Sequence, residues 1–181
     1  MSNFLPTNYK IPEESNYMRF GQGENIFRVL SSAIVGMEYW KTTKDDSGKE
    51  IRRPVRVKMG VSVDINELDK DKKGELIMPK HFWAFVVWNR NAEKVQILEI
   101  TQSGIRKKIT ALINSKAWGD PKEYDITITR EGEGWDTEYS VMPNPKEKID
   151  AGIVRLAKDL NINLEALFEG QDPFLQVEEK E

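Results

Sequence analysis

Aromatic and basic side chains are interleaved along this chain in a way that suits gripping a flexible polyanion. Tyr39 and Trp40 stand directly before Lys41, Phe82 and Trp83 follow Lys80 and His81, and Trp88 precedes Arg90 by two residues. Between positions 41 and 58 there are seven cations, Lys41, Lys44, Lys49, Arg52, Arg53, Arg56 and Lys58, against three acids, Asp45, Asp46 and Glu50. Cations that track phosphates and flat rings that stack on bases are what holding an unpaired strand requires when its sequence is not read. Each stacked base is worth about 1–3 kcal/mol, and each neutralised phosphate adds a salt-dependent attraction. The candidate contacts are therefore Tyr39, Trp40, Lys41, Arg52, Arg53, Arg56, Lys58, Lys80, Phe82, Trp88 and Arg90. Strand aromatics more often pack a core than face a ligand. In 81–88 both faces are apolar, with Phe82, Ala84, Val86 and Trp88 on one and Trp83, Phe85 and Val87 on the other. Either the second face is covered by a helix or the tail, or it binds; the Phe82/Trp88 face is the candidate ligand side.

Other chemistries lack their residues. There is no Cys, which removes disulfides, zinc ribbons, iron–sulfur sites and cysteine nucleophiles. His81 is the single His, too few for a metal triad and without a matched nucleophile. The stretch 69–74 has a calcium-loop cadence, but Lys73 and Lys80 fall where carboxylates belong, so it reads as a turn. Gly21-Gln-Gly23 lacks the third glycine of a dinucleotide loop. A metal-dependent nuclease would need clustered strand carboxylates. Asp64, Asp69, Asp71 and Glu75 lie in a Lys-rich turn, however, while Glu99 and Asp125 stand singly. No metal, cofactor or enzymatic activity is expected. The alternatives are a protein-interaction domain, favoured by the acidic pI of about 5.5, and the nuclease.

The net charge of −3 over 181 residues is unevenly distributed. Residues 147–181 carry nine acids against four bases, a net −5, which leaves +2 for the rest. The acidic end embeds Asp172, Pro173 and Phe174, a segment suited to competing for a basic groove or docking on partner proteins. No apolar run approaches the roughly 18 residues of a membrane span, and the expected compartment is cytoplasmic.

Strand-forming runs are predicted at 25–30, 34–40, 51–58, 81–88, 95–101, 124–130 and 137–142. The DDSGK at 45–49 supplies the turn of a projecting basic hairpin. Ile105, Ile109, Leu112 and Ile113 make one helical stripe in 103–116, with Arg106, Lys107 and Lys108 off it. Ile149, Ile153, Leu156 and Leu160 mark a second helix, and 164–168 a third short one. Trp118 is expected under a loop, and Trp135 is balanced between stacking and packing. Pattern alone supports an α+β fold with an antiparallel sheet; a helix before the fourth strand is the arrangement of the OB barrel.

The chain resembles the tailed-phage single-stranded-DNA-binding (helix-destabilising) proteins. The resemblance lies in GENIFRVLSS at 23–32, HFWAFVVWNRNAEKVQILEIT at 81–101, SGIRKKITALI at 103–113 and GDPKEYDITITREGEGWDTEYSVMPNPKEKID at 119–150. It implies an OB-fold barrel of about five strands, mainly β, with a short C-terminal helical region. It also implies sequence-independent binding of single-stranded DNA in replication, recombination or repair, in a phage-infected cell's cytoplasm, with tail contacts to replication or recombination proteins. Well-known members hold zinc through an insert; this chain lacks the Cys to do so, leaving the hairpin at 41–58 as the candidate for its place. The expected organisation is an N-terminal arm at 1–16, a DNA-binding domain at 17–146, C-terminal helices at 147–170 and an acidic, disordered tail at 171–181.

Overall fold

The structure, a computed structural model, describes residues 15–175. The strands are β1 (Tyr17–Met18), β2 (Gly23–Val29), β3 (Ile34–Lys44), β4 (Glu50–Lys58), β5 (Lys80–Asn89), β6 (Lys94–Ile100), β7 (Asp125–Glu131) and β8 (Glu138–Pro143). Helix α1 (Ser103–Ile113) precedes β7, helix α2 (Ala151–Leu160) follows β8, and a 3-10 helix covers Leu164–Glu169. The fold is mainly β: one mixed eight-stranded sheet in the order β1-β6-β5-β2-β7-β8, from which β3 branches off β5 and carries β4. Every run predicted as a strand is one, with ends shifted by at most four residues. Strand β1 was not foreseen. Its two residues lie parallel to β6, Tyr17 opposite Ile97, too short to leave a pattern.

Alternation sorts β5 onto two faces. Phe85 and Val87 point into the main core with Phe27, Val29, Leu98, Ile126 and Ile128. Helix α1 closes that side through Ile105 and Ile109, the heart of the predicted stripe, while Ile113 stays 41% exposed at its margin. Trp118 sits edge-on to Tyr124 at 5.4 Å beneath the loop before β7, as expected.

The opposite face holds the main correction. Phe82, Ala84 and Ile97 do not meet solvent there; Leu167 seals them, with Ile162, Leu164, Phe168 and Phe174 packed around. Gly36 makes this closure possible, because a Cβ there would lie 2.9 Å from the rings of both Phe168 and Phe82. The described part of the predicted tail is likewise part of the fold. Pro173 is buried, its carbonyl accepts the Asn163 N–H at 2.9 Å, and Asp172 caps the Phe174 N–H at 2.9 Å. Positions 176–181 lie outside the described residues, as do 1–14 of the N-terminal arm.

One buried ionic cluster ties β2, β5 and β7 together. Arg28 is 1% exposed; its Nε donates to Asp125 Oδ1 at 2.8 Å and its Nη1 to the carbonyls of Lys122 and Glu147. Arg90 reaches the same carboxylate at 3.1 Å. Asp125 has arginines and no second carboxylate as side-chain ion-pair partners, as a lone strand acid should, but nothing local announced the arginine 97 residues away. Removing one partner of a buried pair typically costs about 3–5 kcal/mol. Asp125→Ala is therefore expected to lower unfolding free energy by about that amount in urea titrations. A loss below about 1 kcal/mol, the scale of a surface pair, would contradict the assigned role.

Candidate nucleic-acid interface

Strand β3 is shared. Residues Ile34 to Glu38 pair with β5, from Ile34 opposite Ala84 to Glu38 opposite Lys80, and then β5 ends. The pairing with β4 continues, from Gly36 opposite Lys58 out to Lys44 opposite Glu50. Tyr39–Lys44 and their partners thus leave the sheet as a two-stranded ribbon roughly 20 Å long at about 3.4 Å per residue. At its tip, Asp45 Oδ1 accepts the backbone N–H of Ser47 and Lys49, and Gly48 takes the positive φ of 81° that the turn demands.

The ribbon's root is held by charge. The Arg56 Nε donates to Glu38 Oε2 at 3.0 Å and its Nη2 to Glu99 Oε2 at 2.6 Å, with the Arg56 side chain only 14% exposed. Two carboxyls around one guanidinium leave a surplus negative charge. Burial, and after it the neighbouring Glu99 carboxylate, pushes the Glu38 carboxyl up to about 8, so Glu38 keeps its proton at neutral pH. Farther out, the segment after β4 braces the ribbon. The Tyr39 hydroxyl donates to Glu67 at 2.9 Å, Thr42 donates to Asp69 through N–H and hydroxyl, Lys41 pairs with Glu67 at 3.3 Å, and Arg52 with Asp69 at 3.4 Å. The Tyr39 hydroxyl is the largest influence holding the Glu67 carboxyl below its ordinary value.

These contacts sort the candidate residues. Tyr39 and Phe82 are inside, at 5% and 0% exposure, and offer no face to a base in this arrangement. Arg56 is committed to Glu99 and Glu38. Arg90 is committed to Asp125 and lies with half-buried Trp88 at the far end of β5, about 26 Å along the strand from Lys80, away from the ribbon. What the ribbon carries is Trp40, 38% exposed with the Arg52 guanidinium 5.1 Å from its ring centre, on one face, Lys41 opposite Arg53 on the other, and Lys58 and Lys80 at its root. Arg53, directly opposite Lys41, makes no ion pair among the described residues. Beside β4 runs a groove of about 830 Å³ whose near wall includes Lys41, Arg53, Arg56 and Tyr17. Its far wall is Leu167–Asp172, with the carboxylates of Glu169 and Asp172 along it. Lys58 pairs with Glu165 at 3.6 Å and sits over the Phe168 ring.

Sequence reading missed Glu38, Glu67, Asp69 and Glu99. The signal available was the Asp64 cap, whose side chain accepts the Asn66 N–H and starts a 3-10 turn that aims Glu67 at the ribbon. The stretch at 69–74 is a turn, as read: Asp71 accepts the N–H of Lys73 and Glu75, and Lys70 bridges to Leu76. Among the described residues, no group of three or more His, Asp or Glu could hold a metal ion, and no helix is long and apolar enough to cross a membrane.

With this geometry in place, a curated protein is found to match the chain at 26% identity over 142 residues, covering 71% of this chain and 55% of the relative. It is named a probable ssDNA-binding protein of Escherichia phage T5. The matching segment thus spans about half of that relative's length, and the relationship is distant. It agrees with the resemblance carried by the quoted segments. No family model matches, and no solved structure matches.

Two measurements separate root from surface. Arg56→Ala should destabilise the fold by about 3–5 kcal/mol, as an unpaired buried partner does; Arg53→Ala should leave stability within about 0.5 kcal/mol, as for other exposed sites. Glu38 adds a pH dependence. A carboxyl raised in the folded state stabilises it fully below the ordinary value of 4.5 and loses that stabilisation as pH rises through about 8. Urea midpoints should therefore fall between pH 5 and 8 in the parent chain and fall less in Glu38→Gln. Equal slopes in the two would contradict the retained proton.

Proposed function

We propose that this chain binds single-stranded DNA without reading its sequence, through the basic ribbon and the groove beside it. The observation that carries the reading is a β-ribbon that leaves its sheet with Trp40 and Arg52 on one face, Lys41 and Arg53 on the other, and Lys58 and Lys80 at its root. A ribbon of this kind meets both requirements of single-strand binding, a π-face for a base and cations spaced for a backbone. Arg52 now covers one Trp40 face in a cation–π contact worth about 0.5–1 kcal/mol at an exposed site. A stacked base returns about 1–3 kcal/mol, so exchange favours the base.

The name of the phage relative supports the same ligand. The connectivity supports an OB-type barrel at 17–146: β2 pairs with both β5 and β7, β6 follows β5 as a hairpin, and α1 enters before β7. The hairpin and β1 then account for the strands beyond five. On this reading the protein is a non-enzymatic accessory of phage-type DNA replication, recombination or repair, working in the host cytoplasm. The helices at 147–170 carry Glu165 to Lys58 and Glu169 to the groove, and Asp172, anchored by buried Pro173 and packed Phe174, competes with DNA there, while the rest of the tail at 171–181 meets replication partners.

Anisotropy titrations of labelled oligo(dT) and of duplex DNA at two ionic strengths test the proposal. Expected are binding of the single strand well above the duplex, a steep loss with salt, a loss of about 1–3 kcal/mol in Trp40→Ala, and a salt slope shallower by about 0.7 in Arg53→Ala. No binding at low salt by a chain ending at residue 175, or binding indifferent to salt, would sink it.

A further inference from the structure

The hairpin joining β7 to β8 carries a feature that the proposed DNA surface does not use. Trp135 at its tip is fully exposed, at 105% of its reference area. Four exposed carboxylates surround it, those of Glu131, Glu133, Asp136 and Glu138. Such a ring of charge repels phosphate, so the indole is poorly placed to stack on a nucleic acid. Nor is the loop slack. Gly132 holds a φ of 78° where any Cβ would collide with the Asp136 backbone, and the Gln22 amide donates to the Gly132 carbonyl at 2.7 Å. The indole is presented by an ordered turn, which lowers the entropic cost of docking it.

At the other end of the same strand lies an apolar pocket of about 340 Å³ between α1 and the sheet, lined by Val29, Trp83, Phe85, Ile109, Ile113 and Ile126. A cavity of roughly 150 Å³ with such a lining holds a benzene, so this one has room for an indole. Lys122 stands on its lining, with Asp120 as the single acid there. Arg106 and Lys107 line the adjoining depression across Trp83. An acidic loop with an apolar tip meets an apolar pocket with cations beside it.

The chain cannot make this contact with itself. Ile126, in the pocket, and Glu131, where the loop begins, are five residues apart on β7, about 17 Å, and the hairpin is paired through to Glu131 opposite Glu138. We infer that the Trp135 loop of one chain seats in the α1 pocket of a second copy. Donor and acceptor are different surfaces at opposite ends of β7, so the contact is head-to-tail, and successive copies extend as a row unless the rotation closes a ring. One indole and a few charges bury far less than the ~1,000 Å² of a stable interface, so the free protein should associate only weakly, with Kd on the order of 0.1–1 mM. The use of the contact, though not the contact itself, rests on the DNA reading above: a strand that holds neighbours side by side raises their effective concentration and turns a weak contact into cooperative coverage.

Sedimentation velocity of the full chain without DNA tests the contact independently of that reading. Association growing beyond the dimer with concentration is expected, weakened by salt and reduced at least about tenfold by Trp135→Ala and by Ile113→Glu. Both residues are exposed, so the variants should fold. An equimolar mixture of the two variants has one working donor and one working acceptor and should stop at a dimer. A parent chain that stays monomeric at about 1 mM, association unaffected by either change, or a mixture that does not pair would overturn the inference. On labelled DNA, both variants should bind an oligonucleotide of one site length like the parent and cover a long strand less cooperatively. If Trp135→Ala instead weakens the one-site oligonucleotide, the ring stacks on bases and the inference is wrong while DNA binding stands.

Discussion

The geometry turns on one guanidinium held between two carboxyls. Arg56 fastens the root of the β3–β4 ribbon to the sheet by reaching Glu38 on its neighbouring strand and Glu99 on β6. With both carboxyls turned on it and its side chain only 14% exposed, Arg56 has no surplus positive charge to offer a phosphate. The ribbon beyond the root is braced in the same manner by Glu67 and Asp69. The consequence is a division of labour among the cations of β3, β4 and β5. Those facing carboxylates at short range build the platform, while Arg53 and Lys80, with no ion pair among the described residues, remain available to a ligand.

Much of this was legible in the sequence. Alternation in 124–130, the HFWAFVVW run at 81–88 and the DDSGK turn fixed strands to within a few residues, because local periodicity and turn chemistry are short-range signals. The ribbon with its seven cations was legible for the same reason. What a single sequence hides is long-range pairing. Arg28 finds Asp125 across 97 residues and Arg56 finds Glu99 across 43, and no spacing rule reports such distances. Hence Arg56 and Arg90 looked like ligand contacts when each is already paired with a distant carboxylate.

The double apolar face of β5 posed a question that only tertiary structure answers. Either such a strand binds something or something covers it, and here Leu167, Phe168 and Phe174 cover it. The apolar residues embedded in the acidic end are thereby explained. They carry that end back to the groove beside β4, where Glu169 and Asp172 face Lys41 and Arg53. An acidic wall opposite a basic one narrows what the groove accepts to ligands whose negative charge outcompetes two carboxylates, a demand that a phosphate chain meets by multivalency.

Hydrogen exchange of the full chain with and without saturating oligo(dT) tests the central claim most directly, because it reports where the strand lies rather than whether it binds. The account predicts slowed exchange concentrated in 39–58 and in the facing 164–172 segment, with α1 and the 131–138 turn unchanged on an oligonucleotide of one site length. Protection absent from 39–58, with binding intact, would contradict it.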